Sequence, residues 1–449
     1  MNRNDEPKPT AVAATPTQVG ETRDRWGWVE RSVWTERMLT RLGSTEEQTR
    51  VWFSLLDKTY APANLHSAFT EVWQNRGSAG ADGQTLAHFA RNAEAELARL
   101  HEQLRENAYR PHPARRAWIP KPGSQEQRPL GIPAVRDRIV QAALRHVLEP
   151  IFETEFAEHS YGFRPGRGAK DALRRVDALL QSGHTWVVDA DLKSYFDTIP
   201  HDRLIARVKE RIADGRVVAL VESFLCAGVL EELKGWQPTE CGTPQGAVIS
   251  PLLANLYLSP LDHQMEKAGW AMVRYADDFV ILCANEAQAQ AALAAVRAWS
   301  EAAGLQLHPT KTRVVDATQP GGFDFLGYHF ERGQRWPRAK SLAKLKERVR
   351  AKTSRLDGRA LRQIIREVNR TLTGWYAYFQ HSKPTTFVNV DGYVRRRLRR
   401  VLLKRQGKRG SGKGTAQQSW PNRWFAAHGL QTLEAAHEFT VTILQLSTH

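Results

Sequence analysis

Cysteine is scarce in this chain, and the scarcity bears on whether the fold depends on disulfides or on zinc. The 449 residues contain only three cysteines, Cys226, Cys241 and Cys283, and no two of them stand in a Cys-x-x-Cys spacing. This pattern disfavours a disulfide framework and a cysteine-based zinc module. The remaining interpretation is three ordinary, partly buried thiols.

Long apolar runs are also missing. No stretch of the sequence approaches the length of a membrane span, and no signal peptide opens it. Internal repeats are absent as well. We therefore expect no membrane partner, and the cytoplasm of a prokaryote is the simplest expected location.

Acidic residues are too few to balance the basic ones. Lys and Arg number 64 against 48 Asp and Glu, which gives a net charge of +16 and a pI near 9.9. Such an excess favours a polyanionic partner that is bound through phosphate contacts, although a basic protein without a nucleic-acid role has the same balance. The length predicts two or three domains, and 41% hydrophobic residues allow a sizeable core.

Two adjacent carboxylates, Asp277 and Asp278, lie between strand-like apolar runs at residues 272–275 and 279–282. A second apolar strand, at residues 187–191, contains Asp189 and ends in Asp191. Carboxylates on neighbouring strands can bridge two Mg²⁺ ions, as nucleotide polymerases require. Taken alone, the Asp-Asp pair is weak evidence for a metal site and is more typical of a solvated hairpin turn.

The remaining pattern predicts an α+β fold on an antiparallel sheet. Residues 1–24 read as a disordered tail, and residues 109–133 as an extended, proline-punctuated stretch. From about residue 341 the chain becomes helical and basic, and residues 391–410 hold nine Arg or Lys and one acid, Asp391. Residues 406–418 read as a flexible basic linker. Helices are predicted at residues 26–42, 49–60, 63–75, 85–106, 136–158, 168–182, 201–213, 217–227, 251–268 and 286–303.

Several short motifs stand in a fixed order along the chain. With them the sequence resembles bacterial group II intron reverse transcriptase–maturases, over about residues 50–440 and most specifically over 115–330. One such match is weak, whereas six in order are specific. The motifs are Ile-Pro-Lys-Pro-Gly at 119–123 with Arg-Pro-Leu-Gly-Ile-Pro at 128–133, Ser-Tyr-Gly-Phe-Arg-Pro at 160–165, the strand ending at Asp191, Gly-Thr-Pro-Gln-Gly at 242–246, Tyr-Ala-Asp-Asp at 275–278 and Phe-Leu-Gly at 325–327.

The resemblance implies a right-hand polymerase, with fingers and palm followed by an α-helical thumb and maturase domain. It implies RNA-directed DNA synthesis with two Mg²⁺ ions and dNTPs on an RNA template and a DNA primer or target. It also implies that the protein binds its intron RNA and assists splicing and retromobility. The expected divisions are a tail at 1–24, a helical extension and fingers at 25–108, fingers and palm at 109–335, thumb and maturase at 336–405, and a basic linker with a short nucleic-acid-binding segment at 406–449.

The resemblance also assigns roles to single residues. Asp191 and Asp277 would hold both metals, with Asp278 beside them. Asp191 is preferred over Asp189 because similar polymerases place an aromatic residue five positions after the metal ligand, where this chain has Phe196. Phe196 would exclude a ribose 2′-hydroxyl, although from chemistry alone it is equally well a core aromatic.

Other residues are expected to bind substrate or RNA. Lys121 and Arg128 would clamp the triphosphate, Gln245 would lie near the nucleotide and template, and Lys311 could protonate the leaving pyrophosphate or be a plain surface lysine. The basic C-terminal helices suit folded RNA, which is recognised by shape and phosphates. The expected RNA-binding cations are Arg395, Arg396, Arg397, Arg399, Arg400, Lys404 and Arg405.

Two other functions fit parts of the sequence. A non-enzymatic RNA chaperone could keep this fold, but the complete set Asp191, Asp277 and Asp278 argues against it. A free-standing polymerase of phage defence or of a diversity-generating element is disfavoured by the Pro-Gln-Gly triplet at 244–246 and the maturase-like C-terminal region. The paired cysteines and His-Asn-His signature of an endonuclease domain are lacking, so we expect no DNA-cleaving activity and a primer taken from a nick or a replication fork.

Overall fold

The structure, a computed structural model, describes residues 26–42, 50–120 and 127–446, with side chains described as far as residue 440. The described chain forms two compact units, one ending at Asp316 and one beginning at Ala317. The predicted tail at 1–24 and Lys121 lie outside the described residues. Among the described helices, none has the length and apolar character that crossing a bilayer requires.

The first unit mixes helices with two sheets. Its elements are α1 Glu36–Leu42, α2 Leu56–Tyr60, α3 Pro62–Asn75, α4 Leu86–Arg91, α5 Ala93–Arg105, β1 Ala114–Pro120, β2 Gln127–Ile132, α6 Val135–Glu153, α7 Ala169–Gln181, β3 Trp186–Asp191, α8 Tyr195–Thr198, α9 His201–Lys209, α10 Gly215–Leu225, β4 Val229–Glu231, β5 Gly235–Gln237, α11 Ser250–Lys267, β6 Ala271–Tyr275, β7 Asp278–Cys283, α12 Glu286–Ala302 and β8 Arg313–Asp316.

The central sheet has the strand order β6-β7-β3-β8, and every neighbouring pair in it is antiparallel. This confirms the prediction of an antiparallel sheet. Side chains alternate between its faces, so Val188 and Ala190 of β3 are buried in the main hydrophobic core while Asp189 and Asp191 lie on the opposite face. A second sheet, of order β2-β1-β4-β5, carries the strands that the extended stretch had predicted.

Two predicted helices near the N-terminus begin well after the expected residue. The segment from Trp26 runs in turns and becomes helical only at Glu36. The helix predicted at 49–60 is confined to its last five residues, α2. Its preceding amides are used by tertiary partners instead, since Trp52 N–H donates to the Arg211 carbonyl at 2.7 Å and Leu55 N–H to the Asp214 carboxylate at 2.7 Å.

A buried carboxyl makes the stability of this unit pH-dependent. Burial raises the pKa of Glu149 in α6 to about 7; Arg145 opposes the rise, and Glu153 and Glu71 add to it. The unfolded chain ionises at the ordinary value of 4.5, so stability is greatest below that pH and falls as the pH rises toward 7. Glu149→Gln is expected to match the parent at pH 4 and to exceed it at pH 8 by about 3 kcal/mol, measured by urea unfolding. Equal stability of the two proteins at pH 8 would contradict the assignment.

The second unit opens with a small antiparallel sheet and continues as helices. The Phe-Leu-Gly motif forms a hairpin: the strand Phe323–Phe325 pairs with the strand Tyr328–Glu331, and the connecting Leu326 and Gly327 both have positive φ, 46° and 87°. The elements are β9 Phe323–Phe325, β10 Tyr328–Glu331, β11 Gln334–Pro337, α13 Ala339–Lys352, α14 Leu361–Phe379, α15 Thr385–Arg405, α16 Thr415–Ser419, α17 Asn422–Ala427 and α18 Leu433–Leu446.

The C-terminal segment packs on α15 instead of trailing from it. Trp420, Phe425 and Leu433 share one buried core with Val394 and Leu398 of α15. The flexible linker predicted at 406–418 is therefore wrong in its last part, where α16 forms and buries Ala416. The single acid of α15 explains how α18 is fixed: buried Asp391 accepts the backbone N–H groups of Leu433 and Glu434 at 3.0 and 3.1 Å.

Candidate active site

The Asp-Asp pair sits at a tight hairpin between β6 and β7. Tyr275 pairs with Asp278, so Ala276 and Asp277 alone form the turn. Ala276 has φ 59°, a left-handed conformation that a residue with a Cβ adopts only under constraint. Gly162 supplies part of that constraint, because a Cβ on it would come within 2.2 Å of the Ala276 nitrogen. The Ser-Tyr-Gly-Phe-Arg-Pro motif therefore packs directly against the turn.

The three acids predicted to hold metal lie together. Asp191, the last residue of β3, is directly opposite Asp278 in the β3–β7 register, and Asp277 is the next residue along the turn. Burial raises the pKa of Asp277, and the neighbouring Asp191 charge adds to the rise, while Arg128 and Arg274 oppose it. Concentrated negative charge of this kind is stabilised by a bound cation.

The donor chemistry suits magnesium. Within the described residues, no three His, Cys, Asp or Glu side chains stand close enough to form a full protein ligand set for a metal ion. Mg²⁺ usually takes only one or two carboxylates, keeps several waters and binds substrate phosphates. A cation already occupies one carboxylate here, because the Lys311 ammonium lies 2.6 Å from Asp191 Oδ2. One or two carboxylates from among Asp191, Asp277 and Asp278 thus suffice for a magnesium site that the nucleotide completes.

A buried arginine, Arg274, hydrogen-bonds to the β6–β7 turn and was not predicted from the sequence. Arg274 is fully buried in β6; its Nε donates to Asp262 Oδ1 at 2.7 Å, and its Nη2 pairs with the other Asp262 oxygen. Nη1 donates to Asn255 Oδ1 and to the Ala276 carbonyl, both at 2.9 Å. Burial lowers the pKa of Arg274, but Asp262 more than offsets this and holds it above its ordinary value. The signal in the sequence was an Arg at a core-facing position of an alternating strand, where only a paired guanidinium is tolerated.

Arg274→Lys is expected to impair both stability and catalysis, because an ammonium cannot reproduce the fork that joins Asp262, Asn255 and Ala276. Breaking a buried pair costs about 3–5 kcal/mol. A loosened turn should slow single-turnover primer extension on the order of 10²-fold, even at a temperature where the variant is folded. The matched control is Arg174→Lys, whose ion pair with Asp171 is exposed. Similar reductions in both variants would show that the network does not position the turn.

Two other predicted substrate residues, Arg128 and Gln245, have defined partners in the first unit. Arg128 of β2 is close enough to Asp277 to lower its pKa. Gln245 is held at both ends: its carbonyl accepts the Gly131 N–H at 2.8 Å, and its side-chain amide donates to Asp197 at 3.3 Å. Gly246 allows this approach, since a Cβ there would meet the Gly131 oxygen at 2.9 Å.

Phe196 is half-buried at the start of α8, just after the strand that ends in Asp191. Its ring meets Tyr195 edge-on, with centroids 5.5 Å apart, and faces the exposed Phe163 at 6.5 Å. Tyr195, by contrast, is fully buried and donates to the Ala254 carbonyl at 2.6 Å. Part of the Phe196 ring therefore remains exposed, while the rest packs against the main hydrophobic core.

Two further acids close in sequence to Asp191, namely Asp189 and Asp197, have partners of their own. Asp189 shares the face of Asp191 on β3 and lies 3.3 Å from the Arg313 guanidinium. Asp197 accepts the Gln245 amide. Both carboxylates are thus used in contacts between segments around the site.

The basic helix α15, in the second unit, divides its cations between fold and surface. Arg399 corrects the prediction of a surface cation, because it is 2% exposed and donates to the Trp420 carbonyl and to Asn422 Oδ1, both at 2.9 Å. Arg397 donates to the Thr353 hydroxyl at 3.0 Å and the Thr353 carbonyl at 2.7 Å, which anchors it to the end of α13. Arg405 similarly donates to the Asp357 carbonyl at 3.3 Å. The other four predicted cations are exposed or half-buried, namely Arg395, Arg396, Arg400 and Lys404.

Comparison with known proteins adds independent findings. A family model described as reverse transcriptase (RNA-dependent DNA polymerase) matches residues 119–330, and one described as group II intron, maturase-specific domain matches residues 342–420. Protein YkfC of Escherichia coli (strain K12) is 34% identical over 338 residues, which is 66% of this chain and 87% of that protein.

Two intron proteins are similar over shorter stretches. Group II intron-encoded protein LtrA of Lactococcus lactis subsp. cremoris is 37% identical over 223 residues, 49% of this chain and 36% of LtrA. The uncharacterized 91 kDa protein in cob intron of Schizosaccharomyces pombe is 43% identical over 165 residues, 37% of this chain and 20% of that protein. The matched region therefore spans only about a third and a fifth of these two relatives. With both family models in sequence and YkfC matched over most of its length, the chain belongs to the group II intron reverse transcriptase–maturase family and carries a reverse transcriptase domain followed by a maturase-specific domain.

Proposed function

We propose that the acids at the β3 end and the β6–β7 turn are the polymerase centre, and that the chain extends a DNA primer on an RNA template from dNTPs. The observation that carries this is the register that places Asp191 opposite Asp278, with Asp277 in the adjoining turn. Two Mg²⁺ ions, when bound, lower the pKa of the primer 3′-hydroxyl and neutralise the triphosphate. The three carboxylates would hold them.

The remaining residues would bind and orient the nucleotide. Arg128 is close enough to Asp277 to lower its pKa and would pair with triphosphate oxygens. Lys121, which lies outside the described residues, is proposed to pair with them as well. Gln245, held against β2, would contact the nucleotide and template. Lys311 would exchange its carboxylate partner for the leaving pyrophosphate and donate a proton to it.

Phe196 is proposed to select the sugar. A half-exposed ring at the end of the Asp191 strand would contact the sugar of a nucleotide bound at the acids and exclude a 2′-hydroxyl. Phe196→Ala is expected to incorporate ribonucleotides while retaining dNTP incorporation, scored as rNTP over dNTP efficiency in primer extension. Phe163→Ala, its exposed neighbour, is the control. If Phe196→Ala keeps the parental ratio while folded, Phe196 is a core residue only.

The second unit is proposed to bind the intron RNA and to favour its active fold, which assists splicing and retromobility by binding that form better than misfolded ones. The remaining accessible cations of α15 support this, as does the match to a maturase-specific domain. We propose as functional divisions a helical extension and fingers at 25–108, fingers and palm at 109–335, and thumb and maturase at 336–405. A bacterial cytoplasm is the proposed location, in keeping with two bacterial relatives.

Splicing of the flanking intron tests the maturase role. A transcript of the group II intron that surrounds the coding sequence is incubated at low Mg²⁺ with and without protein, and ligated exons are quantified. The protein should raise the splicing rate well above that of the RNA alone. No acceleration, at a protein concentration that saturates RNA binding, would contradict the role.

A further inference from the structure

The second unit contains a basic pocket that no motif of the sequence marks. It is a cavity of about 250 Å³ between α15 and the segment that follows it. It is lined by Gly392, Arg395, Arg396 and Arg399 of α15 and by Lys413 and Gln417 of the following segment. None of the residues lining it, all in the described part of the chain, is acidic. Asp391, the acid next to Gly392, accepts the α18 amides instead. We call this the α15 pocket.

The pocket is built by the fold rather than by chance surface cations. Arg399 is fixed by its bonds to Trp420 and Asn422 and lies over the Phe425 ring at 5.4 Å. The facing segment is pressed onto α15 at Gly412, where φ is +79° and a Cβ would come within 2.7 Å of the Arg396 carbonyl. This close approach brings Lys413 to the cavity that the arginines of α15 line.

Four residues on one face of α15 explain why the pocket is open and cationic. Gly392, Arg395, Arg396 and Arg399 follow the spacing i, i+3, i+4 and i+7, which places them on one helix face. A Cβ added to Gly392 would meet nothing within 4 Å, so the missing side chain leaves usable space. At about 30 Å³ for each water, the cavity holds more than a lone ion.

We propose that the α15 pocket binds one phosphodiester of the RNA backbone together with its ribose, and that it is a defined anchor for RNA on the maturase domain. The guanidinium groups of Arg395 and Arg396 and the ammonium of Lys413 suit phosphate oxygens. Arg399, whose guanidinium is already bonded to Trp420 and Asn422, adds its positive charge to the pocket. The side-chain amides of Asn389, Gln417 and Asn422, which also line the cavity, can donate to and accept from a 2′-hydroxyl. The proposal rests on the proposed binding of RNA by this unit and names the place where it occurs.

Filling the pocket without changing its charge is the sharpest test. Gly392→Leu extends into open space at a helical position where Leu is favoured over Gly, so the variant should fold with an unchanged or higher melting temperature. Its affinity for a labelled transcript of the flanking intron should fall about tenfold, and the slope of log K against log salt should become shallower by about one. Gly392→Ala, which adds only a methyl group, is the matched control and should bind as the parent does.

A charge variant gives a second, independent measure. Lys413→Gln should weaken binding of the transcript and reduce the slope of log K against log salt by about one. Lys408 is an exposed lysine outside the pocket, so Lys408→Gln should change both quantities less. If the parent binds the transcript tightly and Gly392→Leu binds with the same affinity and slope, the pocket is not an RNA site. If the parent itself fails to bind, the proposed function fails instead. If Gly392→Leu weakens binding to a single-stranded DNA of the same sequence as much as it weakens binding to the RNA, the pocket does not recognise the ribose.

Discussion

Asp277→Asn is expected to lower primer extension on an RNA template by a factor on the order of 10³ while leaving the fold intact. The amide keeps the shape of the carboxylate but removes the charge that the metals need. Asp277 forms half of a two-residue turn and sits beside Asp191, whose charge adds to its raised pKa. The measurement is single-nucleotide incorporation by purified protein at saturating dNTP, with circular dichroism to confirm folding.

The same assay discriminates between the two acids of β3. Asp191→Asn should lose activity as severely as Asp277→Asn, because Asp191 lies opposite Asp278 at the strand end. Asp189→Asn is the matched control: it lies on the same strand and the same face, but its carboxylate is beside Arg313. It should retain most of the activity. Near-normal extension by Asp191→Asn together with inactivity of Asp189→Asn would reverse the assignment.

Neutralising the accessible cations of α15 is expected to uncouple RNA binding from polymerisation. A variant with Gln at Arg395, Arg396, Arg400 and Lys404 removes up to four phosphate contacts, and the salt slope of RNA binding should flatten by about one for each phosphate that is no longer neutralised. Arg399 is excluded from the set because its guanidinium is buried and bonded within the fold. Binding to the intron transcript is measured across a salt series, with splicing followed in parallel.

The Asp277→Asn protein is the natural counterpart in that experiment. It should bind and assist splicing almost as the parent does, because RNA folding does not use the dNTP-site metals. The two variants should therefore be deficient in different activities. An equal reduction of splicing in both would show that the roles are not separable, and the maturase role of α15 would fail.

Local patterns were sufficient to predict the acids and their sheet. The apolar runs around Asp277 and Asp278 and before Asp191 have the period and length of strands, and antiparallel pairing then brings their ends together. The boundaries of α3, α7, α11 and α12 likewise fall within a residue or two of the prediction, because apolar spacing and caps such as Asn285 are local signals.

What the sequence did not disclose depends on tertiary partners. The helix predicted at 49–60 does not form in its first half because distant Arg211 and Asp214 accept its amides. Arg399 reads like every other cation of α15, and only the packing of the C-terminal segment over the helix buries it. The same packing creates the α15 pocket, and no sequence motif marks Gly392 as one of its lining residues. Arg274 was detectable in principle as a core-facing arginine, but its partners Asp262 and Asn255 lie on another element.

The central claim is that this chain synthesises DNA on an RNA template at the acids of the β6–β7 hairpin. The most direct measurement is extension of a DNA primer annealed to an RNA template by the purified full chain, with dNTPs and Mg²⁺, and with a chelator in a parallel reaction. We predict templated DNA product that disappears when Mg²⁺ is removed and when Asp277 is replaced by Asn. No extension with any divalent metal, by protein that is folded and binds the intron RNA, would contradict the account and favour an RNA chaperone that has kept the polymerase fold without its chemistry.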